Sequence, residues 1–227
     1  MKNQNLIKWL LFLLLCVTWG SSFILMKAGL TSLSPYQVAS IRILSAGILL
    51  TPLLRKAYKE VPRHMIRPII LSGFLGTFFP AYFFCLAQTK IDSSLAGILN
   101  ALTPIFAVGI GTAFFKLRIG WIKWLGMFFG FAGMTILLLG GTQIINTTYL
   151  GYTSFVLLAS ICYGLNVNVV NHYLKEIGPL NIAVIAFTAL VVPTSIILAL
   201  TGYFTDPHLM NGSWTRSTSA SILVGLL

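Results

Sequence analysis

The chain has 227 residues, 57% of them hydrophobic and only 8% charged, with a mean hydropathy of +0.90. A soluble domain carries about 25% charged residues, so this chain cannot coat a water-facing surface and is read as a membrane protein. The net charge of +11 does not point to nucleic acid, because the basic residues lie between apolar runs rather than in one patch interleaved with aromatics.

A helix needs about 20 apolar residues to cross the hydrocarbon core. The runs that qualify are 6–26, 36–54, 68–88, 94–115, 119–139, 150–170 and 181–201. The first follows a positively charged start, which raises the question of a cleaved signal peptide. It is too long for one, no A-x-A site follows, and more spans come after it, so it reads as a transmembrane helix. Its second half, CVTWGSSF (16–23), sets Trp19, Gly20, Ser21 and Ser22 at midspan. A midspan aromatic beside small hydroxyls suits a cavity wall or gate facing span 6. Tight helix packing around Gly20, with no substrate contact, is the other reading.

Arg42 lies about seven residues into the second run, roughly 10 Å from its outer end. It is expected to face the interior or water and to find a partner, either a substrate or gate, or a structural one reached by snorkelling or carbonyl capping. No Asp or Glu lies at membrane depth, so an anionic substrate group is one candidate counter-charge. In the third run Pro80, Tyr82 and Gln88 fit either the outer half of a cavity or ordinary packing. In the fourth, Asn100 and Thr103 precede Pro104, which removes a backbone hydrogen bond and predicts a kinked helix. That helix either lines a cavity or bonds to its neighbours. In the fifth, Gly126, Gly130 and Gly133 form a GxxxG face for close approach, within the unit or between two copies in a homodimer.

The sixth run carries Tyr163, Gly164, Asn166 and Asn168, with Asn171 and His172 at its cytoplasmic end. Several amides in one span imply a pore or mutual contacts. The seventh leads into a polar, turn-rich segment, 202–218. An eighth run opens near Ser219 and reaches Leu227 after nine residues, a rise of about 13 Å that is short of a full span. Trp9, Trp121 and Trp124 read as interfacial anchors. Cys16, Cys85 and Cys162 read as small core residues, and His64, His172 and His208 form no metal spacing, so no metal and no cofactor is expected.

With the N-terminus in the cytoplasm, the inner segments hold Lys2, Lys8, Arg55, Lys56, Lys59, Arg63, Arg67, Lys116, Arg118, Lys123 and Lys175. The outer ones hold only Lys27, Lys90 and Arg216, which is a positive-inside distribution. An internal repeat supports a two-part organisation. At an offset of 144, Trp19-Gly20 falls on Tyr163-Gly164 and Pro35 on Pro179, while ILSGF (70–74) matches ILVGL (222–226) with a longer outer loop. An odd number of spans per repeat inverts the second unit, an arrangement in which transporters place substrate between the halves.

TWGSSFILMKAGL in span 1, Arg42 in span 2, DSSLAGILNALTPIFAVGIGTAFF in span 4 and WLGMFFGFAGMTILLL in span 5 together resemble the EamA family of the drug/metabolite transporter superfamily. The resemblance implies an all-α, multi-span helical bundle with a ten-span inverted-repeat architecture, here cut after about seven and a half spans. The units would be 1–141, with five helices, and 142–227, with two helices and the start of a third. It also implies cytoplasmic termini and movement of small metabolites across the plasma (inner) membrane. Many members carry Gly-Glu-Arg after span 4, where this chain has Lys116-Leu117-Arg118.

The reading is therefore a permease for small polar metabolites such as amino acids, working by alternating access, with lipid and substrate as partners. A non-transporting piece of such a protein is the alternative. An integral membrane transferase is disfavoured, because four acids and three scattered histidines form no acid–base pair. The charge distribution makes a direct prediction. Alkaline phosphatase fused after Lys90 is active, whereas fusions after Lys116 or Lys175 are inactive, and the reverse pattern overturns the orientation.

Overall fold

Hydrocarbon offers no hydrogen-bond partner, so each backbone group that crosses it must be satisfied within its own segment or its neighbours. The computed structural model describes residues 2–117, 119–140, 147–205 and 214–226, and all regular structure among them is helical. Helix α1 runs over Lys2–Gly29. Helix α2, Pro35–Leu50, starts on a capping box: Ser34 accepts from the Gln37 amide, Gln37 accepts from the Ser34 amide, and Pro35 fills the first turn. A 3₁₀ turn at Thr51–Leu53, containing Pro52, joins it to α3, Leu54–Glu60.

The third span is interrupted. Helix α4 (Ile66–Gly73) passes through a π turn at Phe74–Phe78 into α5 (Phe79–Gln88). Pro80 has no N–H to return to the Gly76 carbonyl, which accounts for the irregular turn before it. The fourth span goes further than the predicted kink and divides into α6 (Ser93–Asn100) and α7 (Thr103–Phe114). Around the break, Ile105 and Phe106 both donate to Leu102, because Pro104 cannot donate to Asn100. After α7 the chain turns with Lys116 at φ 53°, a left-handed position that favours glycine. The glycine common at this place in the resembling family fits that geometry. Arg118, predicted on the inner side, lies outside the described residues.

Helix α8 is Trp121–Gly140, α9 Thr147–Tyr173, α10 Pro179–Leu200 and α11 Trp214–Leu226. Among the described residues, six stretches are long and apolar enough to cross a membrane: Leu6–Gly29, Pro35–Glu60, Arg63–Gln88, Ser93–Phe114, Tyr149–Tyr173 and Pro179–Leu200. Helix α8 occupies the remaining full-length predicted run. The last helix begins at Trp214, earlier than the apolar run near Ser219, and Ser217 within it bonds to the Thr31 hydroxyl and the Ala28 carbonyl at the end of α1. His208 and the boundary between the two predicted units lie outside the described residues.

Helix α10 packs on α2, α3 and α4, α9 on α4 to α7, and α11 on α1 and α2. The larger buried cluster includes Met26, Ile43, Phe84, Cys85, Leu99, Val156 and Leu190. A smaller one, with Ala57, Val61, Ile69, Leu174 and Ile185, sits at the predicted cytoplasmic end. Small residues set the closest approaches. A Cβ placed on Gly164 would lie 2.9 Å from the Ala107 amide nitrogen and 2.9 Å from the Phe106 carbonyl carbon. One on Gly47 would meet the Phe187 carbonyl oxygen at 3.0 Å, and one on Gly225 would strike the Arg42 carbonyl.

Within the single chain, the predicted packing roles of Gly20, Gly126, Gly130 and Gly133 are corrected: a Cβ at any of them meets nothing within 4 Å. Glycine permits close approach but supplies no attraction of its own, and the phenylalanines interleaved along α8 (Phe128, Phe129, Phe131) remain exposed. The contrast is testable. Gly164→Ala is expected to destabilise the purified protein by about 1–3 kcal/mol through backbone overpacking, while Gly130→Ala leaves the unfolding midpoint unchanged or slightly raised. Equal effects at the two sites would refute this assignment.

Candidate functional site

Three hydroxylated or aromatic positions of α1, Thr18, Trp19 and Ser22, line a cavity of about 240 Å³. Opposite them stand Arg42 from α2, Gly76 and Thr77 from the π turn, Tyr163 from α9 and Phe187 from α10, with Val224 and Gly225 of α11 completing the wall. The irregular turn of the third span thus lies at the cavity, where backbone that departs from α-helix is tolerated in a membrane. A constriction of about 10 Å³ beside it is shared by Arg42, Tyr163, Ser22, Met26, Phe84 and Asn100. A groove of about 500 Å³ then runs between α1 and α6, past Trp19, Gly20, Gly97 and Asn100.

Arg42 is the charged member. Among the described residues its hydrogen bond goes to the Met26 sulfur, Nη1 to Sδ at 3.4 Å, a weak acceptor. No carboxylate answers it: the described acids Glu60, Asp92 and Glu176 all lie at span ends. The ion pair found among the described residues is an exposed one, Lys56 to Glu60 at 3.9 Å. An unpaired arginine at a helix centre costs about 2.5–3.5 kcal/mol on insertion scales, and facing a polar cavity reduces that cost.

The structure gathers Trp19, Ser22, Arg42, Tyr163 and, at the constriction, Asn100. Span 1 does not pack on span 6 here; α1 and α9 face each other across the cavity. The other candidates have different work. Ser21 bonds back to the Thr18 carbonyl at 3.0 Å and does not reach the wall. Ser22 likewise donates to Trp19 at 2.7 Å, which leaves its oxygen to accept. Tyr82 shares a 2.7 Å hydrogen bond with buried Ser40 and packs on Phe78, so it belongs to the core. Thr103 donates to Asn100 at 3.1 Å across the helix break. Pro104 faces a separate groove toward α8, lined also by Gly126 and Gly130.

The two span-6 amides are spent on neighbouring helices. Asn166 accepts from Ser72 at 2.6 Å and presses on Gly76 from behind the cavity wall. Asn168 lies roughly 140° around the helix from Tyr163. It donates to the Ala107 carbonyl at 2.7 Å and to Gly164 at 2.8 Å. Gln88 is buried and accepts from Ser93 at 3.2 Å, away from the cavity. Lys27 caps the end of α5 by donating to Gln88 at 2.7 Å and Ile91 at 3.0 Å.

Thr77, Gly76, Phe187 and Gly225 were not singled out from the sequence as cavity residues. Thr77 had a usable signal, a hydroxyl one turn ahead of Pro80, and Gly225 fell opposite Gly73 in the repeat. Phe187 had none, being one apolar residue among many.

A helical, multi-span membrane protein with a polar, arginine-bearing cavity at membrane depth is the class defined here. The family profile of the EamA-like transporter family matches residues 6–139, and the chain belongs to that family. It is 25% identical over 215 residues to an uncharacterized transporter, YdfC, of Bacillus subtilis, covering 92% of this chain and 66% of that one. It is 29% identical over 132 residues to an uncharacterized inner membrane transporter, YedA, of Escherichia coli (56% and 42% covered). A third relative, an S-adenosylmethionine/S-adenosylhomocysteine transporter of Chlamydia trachomatis, is 26% identical over 149 residues (63% and 46% covered). The chain thus spans between about two fifths and two thirds of the length of these relatives. No solved structure matches it at a significant level.

If the cavity is hydrated, it admits small reagents. With Cys16, Cys85 and Cys162 replaced by serine, Thr77→Cys is expected to react with a small water-soluble thiol reagent. Ser40→Cys, sealed against Tyr82, stays silent. An unreactive Thr77→Cys in folded protein refutes an accessible cavity.

Proposed function

We propose that the protein is a transporter, not an enzyme, that moves small polar metabolites such as amino acids across the cytoplasmic membrane by alternating access. The single observation that carries this reading is the cavity around Arg42, a cation at membrane depth with polar neighbours and, among the described residues, no carboxylate partner. Binding sites built where membrane helices lose regular structure are a recurring transporter design. The π turn at Phe74–Phe78 and the break between α6 and α7 fit that design. A chlamydial relative is named an S-adenosylmethionine/S-adenosylhomocysteine transporter, which supports a small polar metabolite as the substrate class.

In this reading the segments 1–141 and 142–227 belong to two units of opposite orientation, and the N-terminus is cytoplasmic, as the basic residues require. The substrate enters between Trp19 on α1 and Tyr163 on α9, equivalent positions in the two units. Movement of one unit against the other alternates the side from which Arg42 is reached.

Flux measured in proteoliposomes tests the proposal. Arg42→Ala, reconstituted in equal amount, is expected to lower uptake of a transported amino acid at least about tenfold, the effect of losing one charge-assisted contact. Unchanged flux in the variant removes Arg42 from the path, and an absence of flux for every metabolite tried removes the transport reading itself.

A further inference from the structure

The donors around the cavity are in excess, and that excess is informative. Among the described residues, the hydroxyls of Thr18, Thr77 and Tyr163 have no protein partner, and Arg42 keeps most of its N–H donors free of one. These atoms are not sealed inside packing. Among the described residues, the buried side-chain atoms left without partners are Gln88 Nε2, Ser160 Oγ and Thr218 Oγ1, none of which lines this cavity. Hydroxyls and a guanidinium therefore open onto one space, with Trp19 and Phe187 forming its apolar side.

We propose that this cavity binds a small organic monocarboxylate, its carboxylate on Arg42 and its apolar body against Trp19 and Phe187. This deepens the transport reading and rests on it for the role of the site, but the binding claim stands on the cavity alone. A guanidinium is a planar fork that meets a carboxylate with two parallel hydrogen bonds, and hydroxyl groups can donate to the remaining lone pairs. A monoanion leaves the low-dielectric site neutral. A dianionic phosphate would leave one negative charge uncompensated, and no second cation lines the wall among the described residues. A cationic substrate would meet Arg42 with like charge and find no acid among the described lining residues. An amino acid is accommodated through its carboxylate, with its ammonium resting only on neutral acceptors such as the Ser22 oxygen and on the Trp19 ring.

The volume of about 240 Å³ limits the ligand to roughly amino-acid size. The carboxylate is thus the part of the substrate that the protein reads by charge, and the side-chain end is read by shape.

The test is binding to the purified, detergent-solubilised full chain, followed by the shift in unfolding midpoint and by calorimetric titration. Four probes share a skeleton: 3-phenylpropanoate, phenylalanine, 3-phenylpropanamide and 3-phenylpropan-1-amine. The expected result is that the two carboxylates bind and raise the midpoint while the amide and the amine do not. Arg42→Gln is expected to weaken carboxylate binding roughly 10- to 100-fold, as for loss of a charged hydrogen-bond partner. Arg42→Lys, which keeps the charge but not the fork, is expected to fall between the two. Should Arg42→Gln fail to fold, the lysine variant and the four-probe comparison in the unaltered protein still decide. The proposal is overturned if the amide or amine binds as well as the carboxylates, if no carboxylate binds, or if binding survives unchanged in Arg42→Gln. Its failure is distinct from that of transport: flux of neutral or cationic solutes insensitive to Arg42→Gln sinks only this proposal. Arginine-dependent carboxylate binding without flux sinks only the transport reading.

Discussion

An arginine at membrane depth costs about 2.5–3.5 kcal/mol on insertion scales unless it faces protein or water. Around Arg42, helices α1, α2, α9, α10 and α11 and the π turn of the third span meet to supply that surrounding. The helices cannot all reach it at ordinary spacing. Gly225 lets α11 lie on the backbone of Arg42, and Gly47 admits α10 at the next turn of α2. A charge too costly for hydrocarbon thus accounts for the close packing of small residues around one site, and the open space left between them is the cavity.

The same shortage of partners explains how hydroxyls are distributed. Away from the cavity, Thr51, Thr188 and Thr194 turn back to carbonyls four residues earlier, so these donors are satisfied within their own helices. At the cavity Ser22 does the same toward Trp19, while among the described residues the hydroxyls of Thr18, Thr77 and Tyr163 have no protein partner. The interruptions of regular helix have the same logic. Pro80 and Pro104 each withdraw a backbone donor, one beside the main cavity and one beside Asn100 at its constriction. Asn168 then ties α9 to the carbonyl of Ala107 just past the second break.

Much of the fold is legible without coordinates, for a physical reason. Crossing a bilayer demands long apolar helices, and residue composition alone reports where they lie, so each predicted full-length run is matched by helix. The individual site residues were legible in part. Arg42 stands out because charge at membrane depth is rare. Trp19, Ser22 and Tyr163 stand out because bulk beside small hydroxyls breaks an otherwise uniform apolar run. Asn166, Asn168 and Tyr82 carry the same kind of polar signal, yet their hydrogen bonds go to Ser72, Ala107 and Ser40. Polarity in a span says that a partner exists and does not say whether it is a neighbouring helix or a ligand.

Composition and the order of apolar runs were enough to establish a helical membrane protein, its spans and the lack of any acid within the apolar runs to pair with Arg42, since each follows from the local cost of placing a residue in lipid. Which glycines make contacts, which hydroxyls stay free and where the cavity lies depend on how helices rotate and approach one another. GxxxG in α8 and Gly164 in α9 look alike along the chain. Of these glycines, Gly164 touches a neighbouring backbone and those of α8 do not, because contact area between whole helix faces, not a pair of small residues, draws helices together in a membrane.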